Sequence, residues 1–202
     1  MIAIIDYGVG NLFSLRSSFA AIGHDVIVSG DRAVLEKADK LILPGVGAFE
    51  DAAAKLRNSG LDQLVKEKAA AGVPLMGICL GMQLLFEKSF EYGEHEGLGL
   101  LKGQVVGMSG KLPSNLKIPH MGWNQLTKTK DGKLMQNICD GEFVYFVHSY
   151  FAADCDESVA AVTEYGIPMT AAVEKGNIFG CQFHPEKSGE VGLRILKTFC
   201  EL

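Results

Sequence analysis

The chain has 202 residues, 48% of them hydrophobic and 21% charged, enough for one domain with a full core and ordinary for a globular protein. Its net charge is −5 and no basic run goes beyond isolated lysines, which argues against nucleic acid and anionic membrane as main partners. No apolar stretch reaches membrane-span length, and the start Met1-Ile2-Ala3-Ile4-Ile5-Asp6 lacks the basic region and the apolar length of a signal peptide.

In chain order, Met1 to Ile5 reads as a short apolar strand, followed by the turn Asp6-Tyr7-Gly8-Val9-Gly10-Asn11. The pair Gly8 and Gly10 invites a dinucleotide fingerprint, but position 13 is Phe and the third glycine is missing. A tight turn is the better account, and no cofactor is expected. Asn11 is suited to cap a helix with Leu12, Leu15, Phe19 and Ile22 on one face, ended by Gly23. A strand from Asp25 to Val28, a short polar segment Asp31 to Lys37 and a strand Lys40 to Leu43 follow. This alternation implies parallel pairing with right-handed crossovers.

Pro44-Gly45-Val46-Gly47-Ala48-Phe49 comes directly after that strand. Two glycines at the carboxyl end of a parallel strand leave backbone N–H groups free where ligands usually sit. The same loop also serves simply to cap the next helix. Helical patterns run from Ala48 to Arg57 and from Leu61 to Ala71.

Pro74 to Gln83 then reads as a buried strand, a tight turn and the start of a helix carrying Leu80, Gln83, Leu84 and Phe86. Cys79 stands between Gly77 and Gly81. A nucleophile on a strained strand-to-helix turn needs such small neighbours. A helix N-terminus behind it favours a thiolate and offers N–H groups to an oxyanion. Taken alone, a cysteine is more commonly a buried packing residue. The other four, Cys139, Cys155, Cys181 and Cys200, lie without paired spacing. That pattern suits reduced thiols in the cytoplasm, and no Cys or His spacing suits a metal.

The second half has strands at Gln104 to Met108, Phe143 to Val147, Val159 to Thr163 and Thr170 to Val173, with few helices. Lys175-Gly176-Asn177 is a hairpin turn into Ile178 to Phe183, and a helix runs from Ser188 with Val191, Ile195, Leu196 and Phe199 on its apolar side. The expected fold is α/β, one domain spanning residues 1–202, with a mixed, mostly parallel sheet flanked by helices.

Between hairpin and helix stands Gln182-Phe183-His184-Pro185-Glu186-Lys187-Ser188. Pro185 pushes His184 into an extended conformation, in which residues i and i+2 point the same way. His184 and Glu186 can then pair as a carboxylate that steadies an imidazole. A solvated surface turn is the alternative. Together with Cys79, the three form the parts of a nucleophilic triad.

The turn at Asp6 to Asn11, the loop at Pro44 to Phe49, the Gly77 to Gln83 turn, Pro119-His120-Met121-Gly122-Trp123-Asn124, Tyr145 to Tyr150 and Gln182 to Ser188 together resemble the class I, triad-type glutamine amidotransferases. Within that family the resemblance is to glutaminase subunits that serve a separate cyclase of histidine biosynthesis. It implies a flavodoxin-like α/β fold and glutamine as substrate. It implies Cys79 as nucleophile, His184 as acid and base, and Glu186 as its orienting carboxylate. Leu80 with Val46 or Gly47 would form the oxyanion hole, and Gln83, His148, Ser149 and Tyr150 would help hold glutamine. The implied partner is a (β/α)8-barrel cyclase subunit in a heterodimer, fed with ammonia through an internal channel. The glutaminase would be weak until that partner binds its own ligand, with the Pro44 to Gly47 loop as the switch.

Asn11, Met121, Trp123 and Lys187 are candidates for the partner face. Trp123 lies in a glycine-flanked segment read as a loop, where an aromatic anchor suits an interface; without the resemblance, a core position is the better account. Competing readings are a glutaminase subunit for anthranilate, aminodeoxychorismate or pyridoxal phosphate synthesis, a γ-glutamyl hydrolase or cysteine peptidase on the same scaffold, or a non-catalytic scaffold protein.

Overall fold

Apolar runs near residues 2–5, 40–43, 75–78 and 178–181 become the strands at the centre of the main sheet, as runs buried on both faces require. The structure, a computed structural model, describes all residues 1–202. Its strands are β1 (Ile2–Ile5), β2 (Val26–Ser29), β3 (Lys40–Leu43), β4 (Leu75–Ile78), β5 (Phe86–Ser89), β6 (His95–Glu96), β7 (Leu101–Gly107), β8 (His120–Gln125), β9 (Thr127–Lys128), β10 (Phe143–His148), β11 (Tyr150–Ala153), β12 (Val159–Glu164), β13 (Pro168–Lys175) and β14 (Ile178–Cys181). Its helices are α1 (Leu12–Ala21), α2 (Arg32–Leu35), α3 (Phe49–Asn58), α4 (Leu61–Ala70), α5 (Leu80–Leu84) and α6 (Gly189–Glu201).

The main sheet runs β2-β1-β3-β4-β14-β13-β12-β9. Its first four junctions are parallel and its last three antiparallel. Strand alternation sorts the core into two clusters. Ala3, Ile5, Leu41, Leu43 and Leu75 face α3 and α4; Ile2, Ile4, Ile42, Met76 and Ile78 face α1 and α6. Asn11 caps α1 through the Ser14 N–H, and Leu15 and Phe19 are the residues it buries.

Several expectations are corrected. The polar segment after β2 holds the short helix α2, because Asp31 caps it and Leu35 is buried beneath it. The helix after Cys79 has only five residues, and Phe86 starts a strand. The Leu84 and Leu85 carbonyls accept N–H groups from Leu98, Leu100 and Leu101, so the helical ladder stops there. The later strands do not all join one sheet. β11-β7-β5-β6 form a second sheet and β10-β8 a third. Trp123 therefore lies in a strand, paired opposite Tyr145, and not in a loop.

Candidate active site

Parallel register places three segments side by side at one carboxyl edge. Leu43 pairs with Gly77, and Ile78 pairs with Cys181. The residues that follow each strand, the Pro44 loop, Cys79 and Gln182 to His184, are thus neighbours. Ligands bind at this edge of an α/β sheet.

Cys79 sits at φ 53° and ψ −112°. A non-glycine residue there carries strain of about 1–3 kcal/mol, a feature typical of functional turns. The surrounding glycines make it possible. A Cβ on Gly77 would lie 2.6 Å from the Gly81 carbonyl oxygen, one on Gly45 would lie 2.7 Å from the Gly81 nitrogen, and one on Gly81 would overlap the Leu43 carbonyl oxygen. The Cys79 N–H bonds the Cys181 carbonyl at 2.7 Å, tying the turn to β14. The Gly8 and Gly10 turn backs the same region: Gly10 abuts Pro44, and the Tyr7 hydroxyl donates to the Pro44 carbonyl at 2.7 Å.

His184 is buried, its Nδ1 bonded to Glu186 Oε1 at 2.8 Å, and it lines the same cavity as Cys79. His184 is extended, as expected, but Glu186 is not. Pro185–Lys187 form a 3-10 turn, and its curvature rather than strand alternation brings the carboxylate under the ring. The turn is held by the His184 N–H on the Tyr145 carbonyl and by the Ser188 hydroxyl on the His184 carbonyl. Burial opposes the charged imidazole. The neighbouring Cys79 and the bonded Glu186 carboxylate outweigh it and raise His184 to about 10, as negative partners beside an imidazole do.

A cavity of about 540 Å³ opens over this edge. It is lined by Cys79, His184, Val46, Gly47 and Leu80, and by the four residues Gln83, His148, Ser149 and Tyr150. Gly47 has φ +92° and open space around it, whereas Gly45 is locked against Gly81. Conformational freedom in the loop is therefore concentrated at the Val46–Gly47 end. Glu91 and Tyr92 also line the cavity. Sequence reasoning missed both, since they sit in an unpatterned turn after β5. Glu91 is the one acidic side chain on the wall, held by the Phe49 N–H at 2.6 Å.

The four interface candidates are not all equally free. Met121 and Trp123 point outward together from β8, 61% and 55% exposed, and Trp123 packs edge-on against Tyr145. Lys187 is exposed, while Asn11 is half-buried and used as a cap. Phe13, 82% exposed on α1, went unnoticed in the sequence. An apolar side chain off the buried face of an amphipathic helix was its signal.

His120 and His148 are buried, His148 on the cavity wall and His120 against it, with 3.0 Å between His120 Nδ1 and His148 Nε2. Burial lowers His120 to about 4 and His148 to about 3. On acidification the unfolded chain, with histidine near 6.5, takes up these protons first. Stability therefore falls as pH drops from about 6 toward 4. His184 has the opposite sign: its contribution is complete below about 6.5 and is lost as pH rises toward 10. Melting temperature measured from pH 6 to 4.5 should decline, and His120→Phe should flatten that decline.

The glutamine amidotransferase class-I family matches residues 3–201. A relative from Lactococcus lactis subsp. lactis, the imidazole glycerol phosphate synthase subunit HisH, is 51% identical over 99% of this chain and 98% of its own. The protein of that name from Caldanaerobacter subterraneus subsp. tengcongensis is also 51% identical, over 100% and 98%. Among solved structures, a glutamine amidotransferase superposes with a TM-score of 0.77 at 19% identity, covering 99% of this chain and 97% of that one. PurLQS from Thermotoga maritima superposes at 0.75 and 21%, with coverage of 99% and 97%. At these identities the likeness to solved structures concerns the fold.

Proposed function

We infer the function from one premise: the chain belongs to the class I glutamine amidotransferase family. It hydrolyses glutamine to glutamate and ammonia, as the glutaminase subunit of an imidazole glycerol phosphate synthase of histidine biosynthesis. The observation that carries the chemistry is that Cys79, on a strained turn, and His184, bonded to Glu186, line one cavity.

In this reading the Cys79 thiolate attacks the side-chain amide carbon of glutamine. Backbone N–H groups of Leu80 and of Val46 or Gly47 hold the oxyanion. The His184 imidazolium gives its proton to the departing nitrogen, and ammonia leaves. His184, now neutral, takes a proton from water, whose oxygen attacks the glutamyl thioester. Collapse of that second intermediate releases glutamate and restores the thiolate–imidazolium pair. Glu186 orients His184 throughout. Gln83, His148, Ser149 and Tyr150 shape the amino-acid end of the pocket, and the Glu91 carboxylate complements the glutamine α-ammonium.

Ammonia passes to a partner cyclase, which we place in the (β/α)8-barrel class, to give imidazole glycerol phosphate and aminoimidazole carboxamide ribotide in the cytoplasm. The partner face comprises Met121, Trp123, Lys187 and Asn11, with Phe13 beside them. Trp123→Ala should weaken the complex about tenfold or more, the loss expected of an aromatic anchor. It should leave the melting of the isolated chain nearly unchanged, because an exposed side chain contributes little to folding. Titration calorimetry and thermal melts together check this.

The deciding experiment measures glutamate release from glutamine by the chain alone, then with the cyclase and its nucleotide ligand. Strong stimulation is expected. Full activity alone, indifferent to the partner, would move the protein to another synthase or to a free-standing hydrolase.

A further inference from the structure

Gln182 lies immediately before the Phe183-His184 segment, fully buried, and the mechanism above gives it no task. Its amide reaches Cys79 Sγ at 3.8 Å through Nε2. Which end of an amide faces a neighbour is decided by hydrogen-bond logic. Here a backbone carbonyl, which can only accept, supplies the answer.

The Tyr150 carbonyl lies 3.1 Å from the Gln83 amide, so the Gln83 atom facing it is the NH2 nitrogen. That nitrogen's second hydrogen points to Gln182 at 3.0 Å, so the Gln182 atom there is the carbonyl oxygen. The Gln182 NH2 is then turned to the sulfur. The other lone pair of the Tyr150 carbonyl is taken by His148 Nδ1–H at 2.8 Å. His148 Nε2 must then accept, from His120 Nδ1–H at 3.0 Å. His120 Nε2 accepts from the Asn124 amide at 3.2 Å, whose other hydrogen goes to the Glu164 carbonyl at 2.9 Å. Two obligate acceptors thus set the sense of every bond from β8 to the nucleophile.

We propose that Gln182 is a further catalytic residue: its amide N–H donates to the Cys79 sulfur and favours its thiolate, in a sense fixed by the Gln83 amide and the Tyr150 carbonyl. This rests on the reading of Cys79 as nucleophile. A bond to a charged sulfur is stronger than one to a thiol or thioester. The N–H therefore favours the resting thiolate and also the departing thiolate when the thioester is hydrolysed. The other titratable groups that interact with this sulfur's charge are His184, with Glu186 behind it, and the Tyr7 phenol, whose hydroxyl is held by the Pro44 carbonyl.

The test is peptide-resolved alkylation of Cys79 by iodoacetamide across pH, which needs no glutamine turnover and separates Cys79 from the exposed Cys139. Gln182→Glu keeps an oxygen toward Gln83 but turns a carboxylate oxygen to the sulfur. Gln182→Met loses both bonds. The proposal expects alkylation at pH 7 to slow about tenfold or more in Gln182→Glu, with Gln182→Met between it and the unaltered chain. A merely structural role reverses that order, because Gln182→Met breaks more bonds, and that order or no change would overturn the proposal. In the unaltered chain, the Gln182 side-chain NH2 resonance should shift as Cys79 titrates and stay still in Cys79→Ala. A resonance indifferent to that titration would also overturn it. Failure of the glutaminase reading would show instead as absent glutamate release by the unaltered protein with its partner.

Discussion

Cys79→Ala should lower glutamate release by about 10⁴-fold or more, the scale on which loss of a nucleophile acts. No other thiol can replace it. Burial pushes the Cys181 and Cys155 thiols up, and Cys200 up to about 11. None of these has an imidazole beside it, and Cys139 lies exposed and remote from the cavity. Cys139→Ala should therefore keep full activity. The assay is glutamate production with the partner and its ligand present, so that a weak basal rate does not mask the loss. Circular dichroism should show Cys79→Ala folded, since the side chain removed is small and the turn is held by backbone bonds to Cys181 and Gln83. An active Cys79→Ala protein would end the thiol mechanism.

Gly81→Ala should be the most damaging single methyl in the chain's active-site turn. Its Cβ would overlap the Leu43 carbonyl oxygen, and the next atoms in its way are also backbone. No side chain can swing aside, so β3 and α5 must separate. The expected loss is about 3 kcal/mol or more, at the severe end for overpacking. Urea unfolding should show it as a lower midpoint with little change in slope. Gly47→Ala is the useful contrast. Nothing lies within 4 Å of its Cβ, so only the φ of +92° is unfavourable. Its cost should be near 1 kcal/mol, with the effect felt in the oxyanion loop rather than in folding. Equal losses at the two positions would show that the close approach at Gly81 is not what holds the turn.

The interlock at Gly81 also shows where sequence reading reaches its limit. Local chemistry sufficed for the central strands, because IAII, LIL and LMG-I runs buried on both faces have few other uses. It sufficed for the Asn11 cap and for the turn at Cys79, whose flanking glycines announce crowding without naming what crowds them. It also brought His184 and Glu186 together, though by the wrong geometry: alternation was assumed where a 3-10 turn does the work. Each of these depends on residues a few positions apart.

What tertiary structure alone decided depends on partners far away in the chain. The helix after Cys79 stops at Leu84 because carbonyls there meet N–H groups of residues 98 to 101. Trp123 belongs to a strand because Tyr145 lies opposite, and it is exposed because its side chain turns away from His120 and Asn124. Glu91 reaches the cavity only because the Phe49 N–H holds it there. The sense of the Gln182 amide follows from a carbonyl at Tyr150, relayed by Gln83. Residue type and short spacing are written in the sequence, whereas strand pairing, exposure and the direction of a buried amide are set by whichever distant groups the fold brings to them.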